Sequence, residues 1–281
     1  MRRLDRDRPG ILSGHRVFLS ASVPTRVPFE RKPDAPFQIE QAVASLVRAV
    51  FAEGGRLVFG GHPSISPLVA SIAAEYFPVR PGGLETTPGS PDTAPVLIFQ
   101  SRAFEGFLPG ETWEMQRFGF ARIVWVDAVN GERFDPELRG QRQCQESLGA
   151  MRSELLRTAT PTALVAIGGM EGVFDETQLF GRQDRPGSLV VFTLRETGGA
   201  AELLAKKEIP QSPDWALLRE NRAAPGYRPV QIRVADDEWK RAASMDLPPD
   251  RPDPRAVPVP PYPVIMQWLV QEIAKLPHSR L

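Results

Sequence analysis

Six short apolar runs, separated by stretches whose apolar residues recur every three or four positions, constrain this chain more than any other feature. They are Val17-Phe18-Leu19-Ser20, Arg56-Leu57-Val58-Phe59, Val96-Leu97-Ile98-Phe99, Ile123-Val124-Trp125-Val126, Ala163-Leu164-Val165-Ala166-Ile167 and Leu189-Val190-Val191-Phe192. The third and fourth lack strict alternation, which suits strands buried on both faces. Helical spacing follows the first run (Ile39, Val43, Leu46, Val47, Val50) and the second (Leu68, Val69, Ile72, Ala73, Tyr76). Further helices are expected over 146–158, with Leu148, Met151 and Leu155 on one side, and over 199–207. Glu53-Gly54-Gly55 supplies a C-cap for the first. Strand runs alternating with helices give an α/β fold: Rossmann-like, doubly wound, a mainly parallel sheet with helices on both faces. It is expected to span residues 12–210. Residues 1–11 read as a flexible N-terminus and 211–263 as an irregular, proline-rich extension. Eight prolines between positions 247 and 263 make that stretch extended, in polyproline II form. The segment 264–281 reads as a helix carrying Ile265, Trp268, Leu269 and Ile273 toward the core or a second subunit.

Charge narrows the function. Lys and Arg total 34, as do Asp and Glu, so the formal net charge is zero. That balance lacks the basic footprint of proteins that coat nucleic acid or anionic membranes, and nucleic acid is not the expected partner. One cysteine, Cys144, excludes an internal disulfide framework, and with three histidines no Cys/His zinc site can be assembled within one chain. No apolar run approaches the roughly 18 residues of a membrane span, and the charged start carries no signal-peptide pattern. A cytoplasmic protein is expected, with neither cofactor nor metal implied.

Two strand ends carry paired glycines, and in an open parallel sheet ligands bind beyond the carboxyl ends of the strands. Phe59-Gly60-Gly61-His62-Pro63-Ser64-Ile65-Ser66-Pro67 reads as a strand, a sharp turn and a helix capped by Ser66. That geometry suits a phosphate, with Gly60, Gly61, His62 and Ser64 around it. The plainer reading is a simple strand-to-helix turn. Ile167-Gly168-Gly169-Met170-Glu171-Gly172-Val173-Phe174-Asp175-Glu176 repeats the pattern, with two carboxylates near a helix start, where either could be a cap. Neither turn has the G-x-G-x-x-G dinucleotide or G-x-x-x-x-G-K-[ST] phosphate-loop pattern, and no G-x-S-x-G elbow is present.

Taken together, Ser20-Ala21-Ser22 at the first strand end, Gly60-Gly61 at the second, Met151-Arg152 on the helix before the fifth strand, and Gly168, Gly169, Gly172 and Glu176 resemble the SLOG superfamily. These are Rossmann-like domains related to the LOG ("lonely guy") nucleotide phosphoribohydrolases. The resemblance covers about residues 15–200. The chain departs from the hydrolase pattern by one extra residue before Gly172, by Val173 in place of Thr, by Ile167 in place of Pro, and by lacking the Arg-Lys pair after the Met. What the resemblance implies is a nucleotide or nucleotide-derived ligand held between the glycine turns, sensed as in branches serving bacterial defence or stress signalling. A homodimer is implied, and an effector partner protein if the domain is a sensor. The alternative is an enzyme that cleaves or transfers at the N-glycosidic bond, with Glu176 stabilising charge on the sugar or activating water. A third reading is an interaction module that uses the proline stretch and the Trp268 helix.

Glu176 is thus the candidate catalytic residue, and in the sensor reading the same carboxylate accepts from ribose hydroxyls. Arg152 reads as a forked phosphate contact or as a solvated helix residue. Ser20 and Ser22 read as phosphate donors or as a polar loop after the strand. Arg102, on the rim after Gln100-Ser101, faces the cleft or forms a surface salt bridge. Trp113 and Trp125 read as core or interface, Cys144 as a structural thiol, and Ala235-Asp236-Asp237-Glu238 as a solvated turn.

Overall fold

All six apolar runs are strands: β1 (Arg16–Ser22), β2 (Arg56–Phe59), β3 (Val96–Ser101), β4 (Ala121–Val126), β5 (Ala163–Gly168) and β6 (Leu189–Leu194). A seventh, β7 (Val230–Val234), extends the sheet, whose order is β4-β3-β2-β1-β5-β6-β7 with every pair parallel. This computed structural model describes residues 10–25, 29, 33–79, 94–138, 141–185, 187–245 and 261–277. The helices are α1 (Ala35–Ala52), α2 (Ser66–Tyr76), α3 (Gly110–Arg117), α4 (Gln145–Ala159), α5 (Glu171–Phe180), α6 (Gly199–Lys206), α7 (Ala216–Glu220), α8 (Ala235–Met245) and α9 (Tyr262–Ala274). This is the doubly wound, Rossmann-like α/β architecture.

Successive side chains of the central strands enter two separate apolar layers. On one face Val17, Leu19, Leu57, Phe59, Val165 and Ile167 pack beneath α1, α2 and α9. On the other, Phe18, Val58, Phe99, Leu164, Ala166 and Val191 pack beneath α4, α5 and α6. Burial on both sides explains why the runs read as continuous rather than alternating. Phe18 and Phe192 are fully buried, and each contributes about 1.5–3 kcal/mol relative to an exposed side chain.

Differences from the sequence reading cluster toward the C-terminus. The stretch read as irregular holds α7, β7 and α8. β7 is an edge strand with only Val230 deeply buried, so its run is too polar to stand out. The Ala235-Asp236-Asp237-Glu238 segment is not a solvated turn but the first turn of α8. Asp236 is buried there and accepts hydrogen bonds from the backbone N–H groups of Arg195 (3.3 Å) and Glu196 (3.0 Å), at the end of β6. α9 packs on α1, with Ile265, Met266, Leu269, Val270 and Ile273 in the shared layer; Trp268 is only half-buried, its ring 5.8 Å from the Arg233 guanidinium. The polyproline reading of 247–260 and residues 1–9 of the expected flexible terminus lie outside the described residues. Among the described residues no helix is long and apolar enough to cross a membrane.

Asp236 ties α8 to the end of β6, so its removal tests whether the C-terminal elements are integral to the sheet. Replacing it with Ala leaves two part-buried N–H groups without this acceptor and is expected to destabilise the fold by about 1–3 kcal/mol. A drop in Tm of roughly 2–4 °C per kcal/mol should appear in thermal melts, with a smaller drop for Asp236→Asn, which keeps one acceptor.

Candidate functional site

The winding direction reverses at β1, which has β2 on one side and β5 on the other. In such sheets the crevice opens at the carboxyl ends of the two strands flanking the reversal. Ser22 of β1 is in register with Gly168 of β5, and a cleft of about 360 Å3 lies at this rim.

Ser20 and Ser22 are within β1 rather than in a loop after it. Ser20 is buried and its hydroxyl donates to Glu176 Oε2 in a short hydrogen bond. The Ser22 carbonyl accepts from Gly169 N–H at 2.7 Å, and Thr197 Oγ1 accepts from Gly168 N–H at 2.8 Å. The amides of the second glycine pair are therefore consumed within the protein, and neither glycine lines the cleft. Both have positive φ, and a Cβ on Gly168 would stand 2.5 Å from Ile39 Cδ1, so the turn demands glycine there.

α5 starts at Glu171, so Asp175 and Glu176 lie past its first turn and are not helix caps. They face α4 instead. Arg152, buried at mid-helix in α4 and not solvated, donates through Nε to Glu176 Oε1 (3.4 Å) and through Nη1 to Asp175 Oδ2 (3.1 Å). Its guanidinium passes directly over Gly172, where a Cβ would stand 2.9 Å from Nη2. Asp175 has two more partners: Trp215 Nε1 donates to Oδ1 at 2.6 Å, and Arg142 Nη2 lies 3.6 Å from Oδ2. Two arginines thus balance two carboxylates. Burial raises the Glu176 pKa above the usual carboxylate range, opposed by Arg152 and by the Ser20 hydrogen bond, while the Asp175 charge reinforces the rise.

The opposite wall comes from β2, β3 and the segments after them. Gly60 and His62 line it, while Gly61 is buried behind and Ser64 lies outside, bonded to His62. Ser64 N–H donates to His62 Nδ1 at 3.2 Å, so the neutral ring carries its proton on Nε2. His62 is open to water in the cleft but surrounded by protein, and desolvation lowers its pKa to about 4. It is a neutral imidazole near pH 7. Ser66 is not the cap of α2: it is the first helical residue, and its hydroxyl donates to the His62 carbonyl at 3.2 Å. Arg102 does not line the cleft; it pairs with Glu105 (2.8 Å) and Asp127 (3.4 Å) and lies over the Trp125 ring. Its neighbour Gln100 does line it, buried and donating to the Gly60 carbonyl at 2.9 Å.

The sequence reading missed the mouth. Phe104 and Phe107, on the 3-10 stretch Arg102–Phe107, meet Phe134 with ring centroids 5.2 and 5.0 Å from it, and all three rings line the cleft. A polar branch of about 220 Å3 continues past Arg142, Gln143 and Gln145. The three rings, Arg142 and Gln143 belong to connections without periodicity, and Gln145 only opens α4, so no pattern in the chain marked them. Asp175 was within reach of the sequence reading: it is the second carboxylate of the motif. Cys144 is buried at the start of α4, and burial raises its thiol pKa, as fits a structural thiol.

Removing Arg152 leaves two carboxylates facing each other in a buried site. Arg152→Met is therefore expected to destabilise by about 3–5 kcal/mol, and combining it with Glu176→Gln should restore part of that loss. The folded state holds the Glu176 proton to higher pH than the unfolded chain, so this group's contribution to stability falls as pH rises above about 4.5. Urea midpoints across that range should show the decline in the parent protein and a flatter profile in Glu176→Gln.

No curated protein matches the chain. Among solved structures, the X-ray structure of TM1055, a Northeast Structural Genomics Consortium target, is similar at 15% identity and a TM-score of 0.40, covering 68% of this chain and 81% of its own. The SLOG cluster3 family matches residues 30–219. That match covers more than half of the chain, and the chain belongs to the SLOG cluster3 family.

Proposed function

We propose that this protein binds a nucleotide or nucleotide-derived ligand in the cleft at the β1/β5 reversal and holds it intact, as a ligand sensor. Family membership supports a nucleotide-related ligand-binding or processing domain. The observation that carries the sensor reading is that both oxygens of Glu176 are already engaged, Oε2 by the Ser20 hydroxyl and Oε1 by Arg152. Cleaving an N-glycosidic bond develops positive charge on the sugar, and a carboxylate offsets that charge best when no neighbouring cation already neutralises it. Held by Ser20 and Arg152, Glu176 instead presents its remaining lone pairs as fixed acceptors for ribose hydroxyls. The Phe104, Phe107 and Phe134 rings offer a face to a base, and the polar branch beside Arg142 and His62 accommodates phosphate. A sensor of this kind reports to a second copy of itself or to an effector protein, in a setting such as bacterial defence or stress signalling.

One observation favours the enzyme reading. Burial raises the Glu176 pKa, and a carboxyl group that holds its proton to higher pH than usual is shifted in the direction that suits a general acid acting on a departing base.

Mass spectrometry on protein incubated with pooled nucleoside monophosphates, NAD, ADP-ribose and cyclic nucleotides separates the two. An intact ligand retained at one equivalent without free base is the expected result; free base accumulating beyond one equivalent, and abolished in Glu176→Gln, would replace the sensor with an N-glycosidic enzyme. Base stacking on an aromatic ring contributes about 1–3 kcal/mol, so Phe134→Ala is expected to weaken the retained ligand roughly 5- to 150-fold in equilibrium dialysis. An unchanged affinity would remove the aromatic wall from the binding reading.

A further inference from the structure

Gln100, within β3, lines the cleft and is only 7% exposed. One end of its side-chain amide is fixed. Nε2 donates to the Gly60 carbonyl at 2.9 Å and, at a longer 3.4 Å, to the Gly61 carbonyl. The first glycine turn is shaped around that amide: Gly61 has a φ of +63°, and a Cβ there would stand 3.0 Å from Gln100 Nε2 and 2.8 Å from Ile98 Cγ2. Turned over, the amide would set Oε1 against two carbonyl oxygens, so its donor and acceptor ends cannot exchange.

The other end is open. Gln100 Oε1 accepts from no group among the described residues, and it is not one of the fully enclosed polar atoms that lack a partner. It therefore keeps accessible surface, and the cleft is the space that Gln100 borders. Arg102, the cation nearest in sequence, is taken up by Glu105 and Asp127. A largely buried acceptor held in place without a donor costs free energy, and the donor that relieves it has to come from the ligand.

The position of this acceptor limits what the donor can be. Phe104, in the 3-10 stretch that follows β3, packs on Phe134 and lines the same cleft, so Gln100 and the aromatic faces share one wall. Glu176 is on the opposite wall, held by Ser20 of β1. β2 separates β1 from β3, and at about 4.8 Å per strand spacing the two strands stand roughly 10 Å apart. A nucleoside whose sugar hydroxyls meet Glu176 crosses that distance with the far edge of its base. Because the acceptor is recessed, the base has to reach it with a group that projects beyond the ring. An exocyclic amino group projects and donates. The ring N–H of a keto base lies flush with the edge, and the carbonyl oxygen beside it would be driven against Oε1.

We propose that Gln100 is a specificity-determining residue of the cleft, selecting nucleotides whose base is a 6-aminopurine or a 4-aminopyrimidine, with the amino N–H donating to Oε1. This rests on the reading of the cleft as a nucleotide site and adds which bases enter it.

Equilibrium dialysis with matched ligands tests this on the unmodified protein: AMP, IMP and purine riboside 5′-monophosphate, CMP against UMP, and NAD against nicotinamide hypoxanthine dinucleotide. An amino ligand should bind about tenfold or more tightly than its keto partner, whose oxygen opposes Oε1. Purine riboside 5′-monophosphate, which has neither group, should fall between AMP and IMP. Preference for AMP over IMP assigns the amino group to a purine, and preference for CMP over UMP assigns it to a pyrimidine. Gln100→Met keeps the bulk of the side chain and removes the acceptor, and is expected to bring the amino-to-keto ratio close to one. A turn that was merely distorted would weaken both members of a pair alike and leave the ratio standing. If thermal melts show that this variant does not fold, the ratios in the parent decide alone. Equal binding of amino and keto partners by the parent, or an unchanged ratio in folded Gln100→Met, would overturn the proposal and leave the cleft a nucleotide site. Retention of none of these ligands would remove the nucleotide reading and this proposal with it.

Discussion

The pairing of β1 with β5 is the constraint from which the rest of the site follows. Six residue pairs run from Val17↔Ala163 to Ser22↔Gly168, and the chain winds outward from β1 in both directions. Helices cover both faces of the sheet, and at the carboxyl rim of this pair the connections diverge to opposite faces and leave a crevice. The last register pair leaves the chain no choice about its amides. Gly169 N–H turns back to the Ser22 carbonyl and Gly168 N–H goes to Thr197, so the second glycine turn is a splice between three strands' ends rather than an anion cradle. That splice fixes where α5 begins, and therefore which of its residues face α4.

With α5 so placed, Asp175 and Glu176 point at a buried helix surface, and Arg152 makes this tolerable. Glycine at position 172 lets the guanidinium lie across α5 and reach both carboxylates. Trp215, contributed after the sixth strand, holds the far oxygen of Asp175 and stacks on Phe174 with ring centroids 5.0 Å apart. The arrangement orients Glu176 before any ligand arrives, so a ligand hydroxyl meets an acceptor whose ordering entropy is already spent. The same clamp distributes the carboxylate's charge over Ser20 and Arg152. Orientation and chemical bluntness thus come from one set of contacts.

How much of this could be read from the chain depended on periodicity. Strands buried on both faces leave unbroken apolar runs, and helices α1, α2, α4 and α9 leave stripes, so the sheet and its cover were legible. β7 was not, because an edge strand with one deeply buried residue resembles a loop. α8 was not, because three acidic residues in succession resemble a solvated turn, although one of them, Asp236, is a buried cap for the end of β6. Within the site the motif residues Ser20, Arg152, Gly172 and Glu176 come together, since each stands at a strand end or on a helix facing one. Arg102 and Gln100 show the limit of such reasoning. Gln100 lies within β3 and lines the cleft, whereas Arg102 opens the 3-10 stretch after the strand, where strand alternation no longer applies, and joins a surface cluster with Glu105, Asp127 and Trp125. The aromatic mouth came from connections that obey no period at all.

Arg152 and Arg185 show why burial alone is a poor guide to a residue's role. Both are arginines more than nine-tenths buried on the same side of the sheet, beneath or beside α4 and α5. Arg152 meets two carboxylates and lies over a glycine shaped to admit it; its charge is answered inside the protein, and it acts on the ligand through Glu176. Arg185 meets a ring, one distant carbonyl and another arginine. The first pattern is a scaffold that a fold can carry unaided. The second is a local electrostatic conflict, whose cost the surrounding packing has to carry.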